Sequence, residues 1–169
     1  MHHAEFINTL VNKGWIVERN DAGVDHSKID LGERIDKTSG EFKSFISSFS
    51  LLSAREDDRW FLSLRDYLKS DNAEGFVWNE FEVQSLEAAE GEDEISEIMA
   101  FWNKHLPFML SVKNSYAYFA IILDGPDKGK IVMGSEPMYE QVSVVAANLP
   151  SFFQWFINAE SSPESQTDF

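Results

Sequence analysis

Apolar side chains recur along this chain in two rhythms, one helical and one alternating. Phe6, Ile7, Leu10 and Val11 share a helical face and predict a helix from about Ala4 to Lys13, stopped at Gly14. Trp15, Ile16 and Val17 read as a short strand. A second helix opens at Thr38, where Glu41 three residues on completes a capping box. Its face is Phe42, Phe45, Ile46 and Phe49, spaced i, i+3, i+4, i+7. Trp60 to Leu62 reads as a short buried strand, with Ser63 capping a helix from Leu64 to Lys69. Between Gly75 and Leu86, Phe81, Val83 and Leu86 interleave with Glu80, Glu82 and Ser85, the pattern of a half-exposed strand. Asp93 then caps a helix with Ile95, Ile98, Met99 and Trp102 as its inner face, and Pro107 blocks its continuation.

Beyond Pro107 the alternating rhythm dominates. Phe108 to Val112 predicts a strand and Lys113-Asn114 a turn. Tyr116 to Leu123 is apolar at both alternating sets of positions, which predicts a strand covered on both faces. Lys130 to Met133 and Gln141 to Val145 add two more strands after the loop Asp124 to Gly129. Asn148 caps a last helix, Pro150 sits in its first turn, and Leu149, Phe152, Phe153, Phe156 and Ile157 form its apolar face. Helices, then strands, then a closing helix give an α+β class rather than alternating βαβ units. The expected architecture is one domain over 1–157, an antiparallel-rich central sheet of four to six strands with helices packed on it and a closing C-terminal helix. Residues 158–169 are expected to form an acidic flexible tail. A chain of 169 residues, 43% of them hydrophobic, suits one such domain with a sizeable core.

Charge is distributed unevenly. The net charge is -15, and residues 70–103 contribute ten acids and no Lys or Arg, two thirds of the total. Such a surface repels nucleic acid and anionic membranes and attracts basic partners. No cysteine is present, which removes disulfides, zinc–thiolate sites and thiol nucleophiles. The first residues lack a cationic start followed by an apolar stretch, and the longest apolar run, Ala117 to Leu123, is strand-sized. A cytoplasmic location is expected.

Candidate catalytic chemistry is absent from the sequence. Gly125 to Lys130 misses the phosphate-loop spacing and has Ile131 where a hydroxyl is required. The four histidines do not pair at i, i+4, and His105 reads as a cation serving a helix C-terminus, with a metal role beside Glu94 or Glu97 as the weaker alternative. No G-x-S-x-G or calcium-loop pattern occurs. The expectation is no catalytic residue, no metal and no cofactor.

The acidic segment remains. Ordinary surfaces mix charges of both signs, whereas here no Lys or Arg is interspersed, and apolar residues interleave with the acids: Phe76, Trp78, Phe81, Val83 and Leu86. A solvated face and a docking face for a basic partner are both compatible with this pattern. On the docking reading the partner-binding residues are Trp78, Glu80, Glu82, Glu87, Glu90, Glu92, Asp93, Glu94 and Glu97. On the other, the site falls first to the loops around Gly125 and Tyr139.

Several stretches resemble the SUKH superfamily, which includes yeast cell-wall assembly regulators and bacterial immunity proteins. Tyr116-Ala-Tyr-Phe-Ala120 resembles its aromatic strand, Gly129-Lys-Ile-Val132 its return strand, and Val144 to Phe153 its closing helix. Ile35 to Phe49, Trp60-Phe-Leu and Trp78-Asn-Glu-Phe81 are similar to upstream segments, so the likeness spans about residues 33–157. Asp36-Lys37 stands where the family usually has proline. The resemblance implies an α+β domain without catalytic residues that, in bacteria, often binds and neutralises a toxin, frequently a nuclease. Joined to the net charge, it gives the expectation of an immunity protein whose partner is a basic nuclease domain. The alternative is a regulatory scaffold or generic protein-binding module.

Overall fold

Seven antiparallel strands follow one another across a single sheet in chain order, each hydrogen-bonded to the next. The computed structural model describes residues 1–20, 32–68 and 77–161. The strands are β1 (Ile16–Arg19), β2 (Phe49–Ser53), β3 (Arg59–Phe61), β4 (His105–Ser111), β5 (Ala117–Ile122), β6 (Ile131–Ser135) and β7 (Ser143–Ala146). Among the described residues the helices are α1 (His3–Asn12), α2 (Glu33–Asp36), α3 (Gly40–Ser47), α4 (Leu64–Tyr67), α5 (Glu80–Ala88), α6 (Glu92–Trp102) and α7 (Leu149–Ala159). The class is α+β as expected. The strand count exceeds the expected four to six; the unexpected β2 pairs with both β1 and β3 and ties these short strands into one sheet.

The sheet is covered on both faces. β5 shows why: Ala117, Phe119 and Ile121 point into one core and Tyr118 and Ala120 into the other, since successive strand residues face opposite sides. The first core is aromatic, with Phe6 of α1 stacked on Phe153 of α7 at 4.3 Å and Phe61, Phe45 and Phe156 around them. α7 is capped by Asn148, whose side chain accepts from the Ser151 amide at 2.9 Å, and all five residues of its predicted apolar face are buried. The second core lies under α5 and α6 and contains Phe81, Ile98, Trp102, Tyr118 and Tyr139. In β4 the register shifts between Pro107 and Met109, so Phe108 and Met109 both serve the first core while Leu110 serves the second. Proline, which cannot donate to a ladder, is tolerated at such a bulge.

Several expectations need correction. Phe49 does not extend the helical face; it opens β2, because α3 ends at Ser47 and the chain pairs with β1 instead. The helix is capped by Ser39, which accepts from the Phe42 amide at 3.2 Å, rather than by Thr38. The expected strand over 75–86 is the helix α5 in its described part; Phe81 and Ser85 lie one turn apart on its buried side. α6 begins after Gly91 rather than Asp93, and Ile95 and Met99 are exposed, leaving Ile98 and Trp102 as its inner face. Val11 is likewise exposed on α1. The tail boundary moves too: Asn158 and Ala159 belong to α7, and Glu160 forms a mostly buried ion pair with Arg59, whose guanidinium lies over Trp15 at 5.5 Å. Residues 162–169, like Lys69 to Phe76, lie outside the described residues.

Two histidines sit at the ends of elements. His2 is the N-cap of α1, its ring nitrogen 3.4 Å from the Ala4 amide. His105 opens β4, with its ring stacked on Phe101 at 4.0 Å and Nδ1 2.8 Å from the Phe101 carbonyl oxygen. Burial lowers its pKa, the Lys104 charge acts the same way, and the carbonyl contact offsets part of the effect. The ring contacts the last turn of α6 through that carbonyl, and burial disfavours its cationic form.

This packing makes two predictions. Gly134 faces Tyr118 across the ladder, and a Cβ there would sit 2.6 Å from the tyrosine ring, whose hydroxyl donates to the Tyr139 carbonyl at 2.6 Å. Gly134→Ala should therefore cost about 1–3 kcal/mol of stability, read as a lower urea midpoint; an unchanged midpoint rejects the close packing. For His105 the unfolded chain takes up its proton first as pH falls, near its ordinary pKa of about 6.5. Its neutral burial thus favours folding above that pH and loses this contribution below it, and His3, also lowered by burial, adds in the same direction. Between about pH 7.5 and about pH 5.5 the parent should lose more stability than His105→Gln, and equal losses would contradict the assignment.

Candidate partner-binding surface

α5 and α6 form a helical hairpin laid on the second face of the sheet, turning at Ala89 to Gly91. Its attachment is apolar. Phe81 stacks on Tyr139 at 4.8 Å, and Trp102 packs against Tyr118 at 5.1 Å while its indole N–H donates to Glu140 at 3.0 Å. The outer surface is free to carry charge because the inner one holds the hairpin.

The nine predicted residues fall into two groups. Glu87, Glu90, Glu92, Asp93, Glu94 and Glu97 are exposed or nearly so and cluster around the turn and along α6. Among the described residues none of them is in an ion pair. Glu92, Asp93 and Glu94 occupy the first turn of α6, where negative charge complements the helix dipole. Glu94 also accepts from the Glu90 amide at 2.8 Å, which ties the turn to the helix. Glu80 starts α5 and is half-buried, with its carboxylate accepting from Gln84 at 3.1 Å.

Trp78 and Glu82 belong elsewhere. Glu82 is buried on the flank of α5 and binds Arg34 of α2 through two parallel contacts, at 2.6 and 2.7 Å. The same guanidinium lies 5.6 Å from the centre of the Trp78 ring, which packs on Tyr67. Trp78 is half-buried and packs against both cores. Glu82 is thus paired within the domain, while the half-buried Trp78 ring lines a surface pocket beside Arg34.

The loop around Tyr139, expected as the alternative site, stands beside the acidic hairpin and forms the second wall of a cleft. The loop from Glu136 to Val142 faces the hairpin across a cleft of about 500 Å³. Met138 is exposed there, Glu140 is half-buried, and the Tyr139 hydroxyl donates to Gln84 at 3.0 Å. Burial, with Glu136, Glu140 and Glu80 nearby, pushes the Tyr139 phenol up to about 12. The apolar-aromatic-acidic run Met138-Tyr139-Glu140 was the available sequence signal for this wall. Among the described residues no three His, Asp or Glu side chains are grouped as a metal cage, and no helix is long and apolar enough to cross a membrane.

Comparison with known proteins yields no match to a family model, a curated protein or a solved structure.

The Arg34–Glu82 pair makes a prediction of its own. Removing one partner leaves the other charged and mostly desolvated. Arg34→Ala should cost about 2–3 kcal/mol, and Arg34→Met with Glu82→Leu should recover most of that loss, because an apolar pair strands no charge. A double variant as unstable as the sum of its single changes would show that the two side chains are energetically independent.

Proposed function

We propose that this chain is a non-catalytic immunity protein that binds and neutralises a partner toxin, a basic nuclease domain, through the acidic surface of the α5–α6 hairpin. The observation that carries this reading is the set of six outward-facing carboxylates, from Glu87 to Glu97, with no ion pair among the described residues. Exposed charges of one sign sum to a field that draws in an oppositely charged protein and orients it. A nuclease domain is basic where it meets nucleic acid, so an acidic inhibitor competes for the same surface. The resemblance to SUKH immunity proteins supports the same reading, and it sets the encounter in the cytoplasm. Glu80 lies at the edge of the contact, and Glu82 and Trp78 support it from behind.

The test begins with the adjacent gene. Its product, a toxin with a C-terminal nuclease domain, should co-purify with this chain, and co-expression should rescue cells from it. Reversing Glu90, Glu92 and Glu94 to Lys should impair rescue while leaving the fold intact. Since screening at physiological salt acts over about 8 Å, association should slow sharply as salt rises, with dissociation changing less. A folded triple variant that still neutralises at normal rate and affinity would reduce the acidic surface to a solvated face. An isolated gene, with no toxin beside it, would favour a regulatory protein-binding module instead.

A further inference from the structure

The cleft between the hairpin and the Glu136–Val142 loop differs from the rest of the acidic surface. Ile98 and Phe101 of α6, Ala88 of α5 and Met138 of the loop give it an apolar lining, beside the neutral polar Gln84, Ser85 and Gln141. Its rim carries Glu94 and Glu97 from α6 and Glu140 from the loop, and among the described residues no lysine, arginine or histidine lines it. Residues three apart on a helix share a face, so Glu94 and Glu97 present their carboxylates side by side.

Each of the three carboxylates keeps acceptor capacity. Glu94 uses Oε2 for the Glu90 amide and Glu140 uses Oε1 for the Trp102 indole, which leaves the other oxygen of each. Glu97 is exposed and in no ion pair among the described residues. A trough with apolar and neutral polar lining, carboxylates at three positions and no cation among the described lining residues is complementary to one kind of side chain. It fits a long alkyl stem ending in a planar, multiply donating cation, which rests its stem on apolar surface and its head among oxygens.

We propose that this cleft is the anchor pocket for an arginine side chain on a basic segment of the partner. The inference rests on the immunity reading and deepens it, by naming where on the acidic surface the contact is fixed rather than merely steered. The carboxylates around the turn accelerate the encounter; the cleft holds one residue in register. Contacts of this kind, central and partly desolvated, carry most of the energy of a protein interface, while rim charges contribute mainly to rate.

The experiment uses the full chain labelled with nitrogen-15 and the peptide acetyl-Gly-Arg-Leu-Arg-Gly-amide as probe, with its citrulline counterpart as the neutral control. Saturable amide shifts are expected at Gln84, Ala88, Glu97, Phe101 and Met138, and none with the citrulline peptide. Glu97→Gln and Met138→Ala should each weaken binding about three- to fivefold, whereas Glu56→Gln, which removes one charge on a remote loop, should change it less than about 1.5-fold. Shifts centred on the turn at Glu90 to Asp93, or equal losses in all three variants, would overturn the anchor pocket and leave the acidic surface standing. Absence of peptide binding by a chain that still neutralises the toxin would overturn it as well. If the toxin is not bound at all while the peptide binds in the cleft, the immunity reading fails and the arginine pocket stands.

Discussion

Two-sided burial of β5 is the constraint on which the rest of the molecule depends. A strand with apolar residues at both alternating sets of positions needs cover above and below. Phe119 finds it beneath α7, in contact with Phe152 and Trp155, and Tyr118 finds it beneath the hairpin, in contact with Phe81 and Trp102. Each covering element is held by aromatic contact with the sheet. The neighbour strands adapt accordingly: β6 places a glycine opposite Tyr118, and β4 inserts a bulge that sends one extra side chain to the larger core.

That arrangement separates the work of stability from the work of recognition. The hairpin is secured by Phe81, Ile98 and Trp102, and its exposed side carries acids that contribute little to folding. Some acids serve both ends. Glu94 closes the turn through the Glu90 amide and still offers an oxygen outward, while Glu140 orients Trp102 and still edges the cleft. Arg34 illustrates the opposite choice, its charge being spent on Glu82 and on the Trp78 ring within the domain.

How legible this was in the sequence depended on how many signals agreed at each element. α7 had a cap, a proline in its first turn and an unbroken apolar stripe, and β5 had length and two apolar faces; both occur where expected. β2 was hidden because Phe49 continues the spacing of α3, and only pairing with β1 decides where the helix stops. α5 imitated a strand because Phe81 and Val83 alternate with acids; its buried side includes Glu82, which no hydrophobic pattern marks, since burial there depends on Arg34 far away in the chain. The charge of the candidate site was visible directly, but the cleft was not, because Met138 and Glu140 reach the hairpin only through the meander of β5, β6 and β7.

The stacking of Phe6 on Phe153 has a consequence for how the protein comes off the ribosome. The larger core joins the first helix to the last, and α1 and α7 lie side by side, with Lys13 donating to Ser161 at 2.7 Å. Contacts between such distant positions carry a large loop-closure cost and form late. During synthesis the smaller core, built from segments between Leu62 and Tyr139, has all its parts before α7 emerges. The nascent chain therefore passes through a stage in which one side of the sheet can already be covered and the other is covered only in part, with α1 and α3 against Phe61 and Phe108 but α7 not yet over Phe119. That partly covered aromatic face is the surface a chaperone would meet until α7 packs onto it.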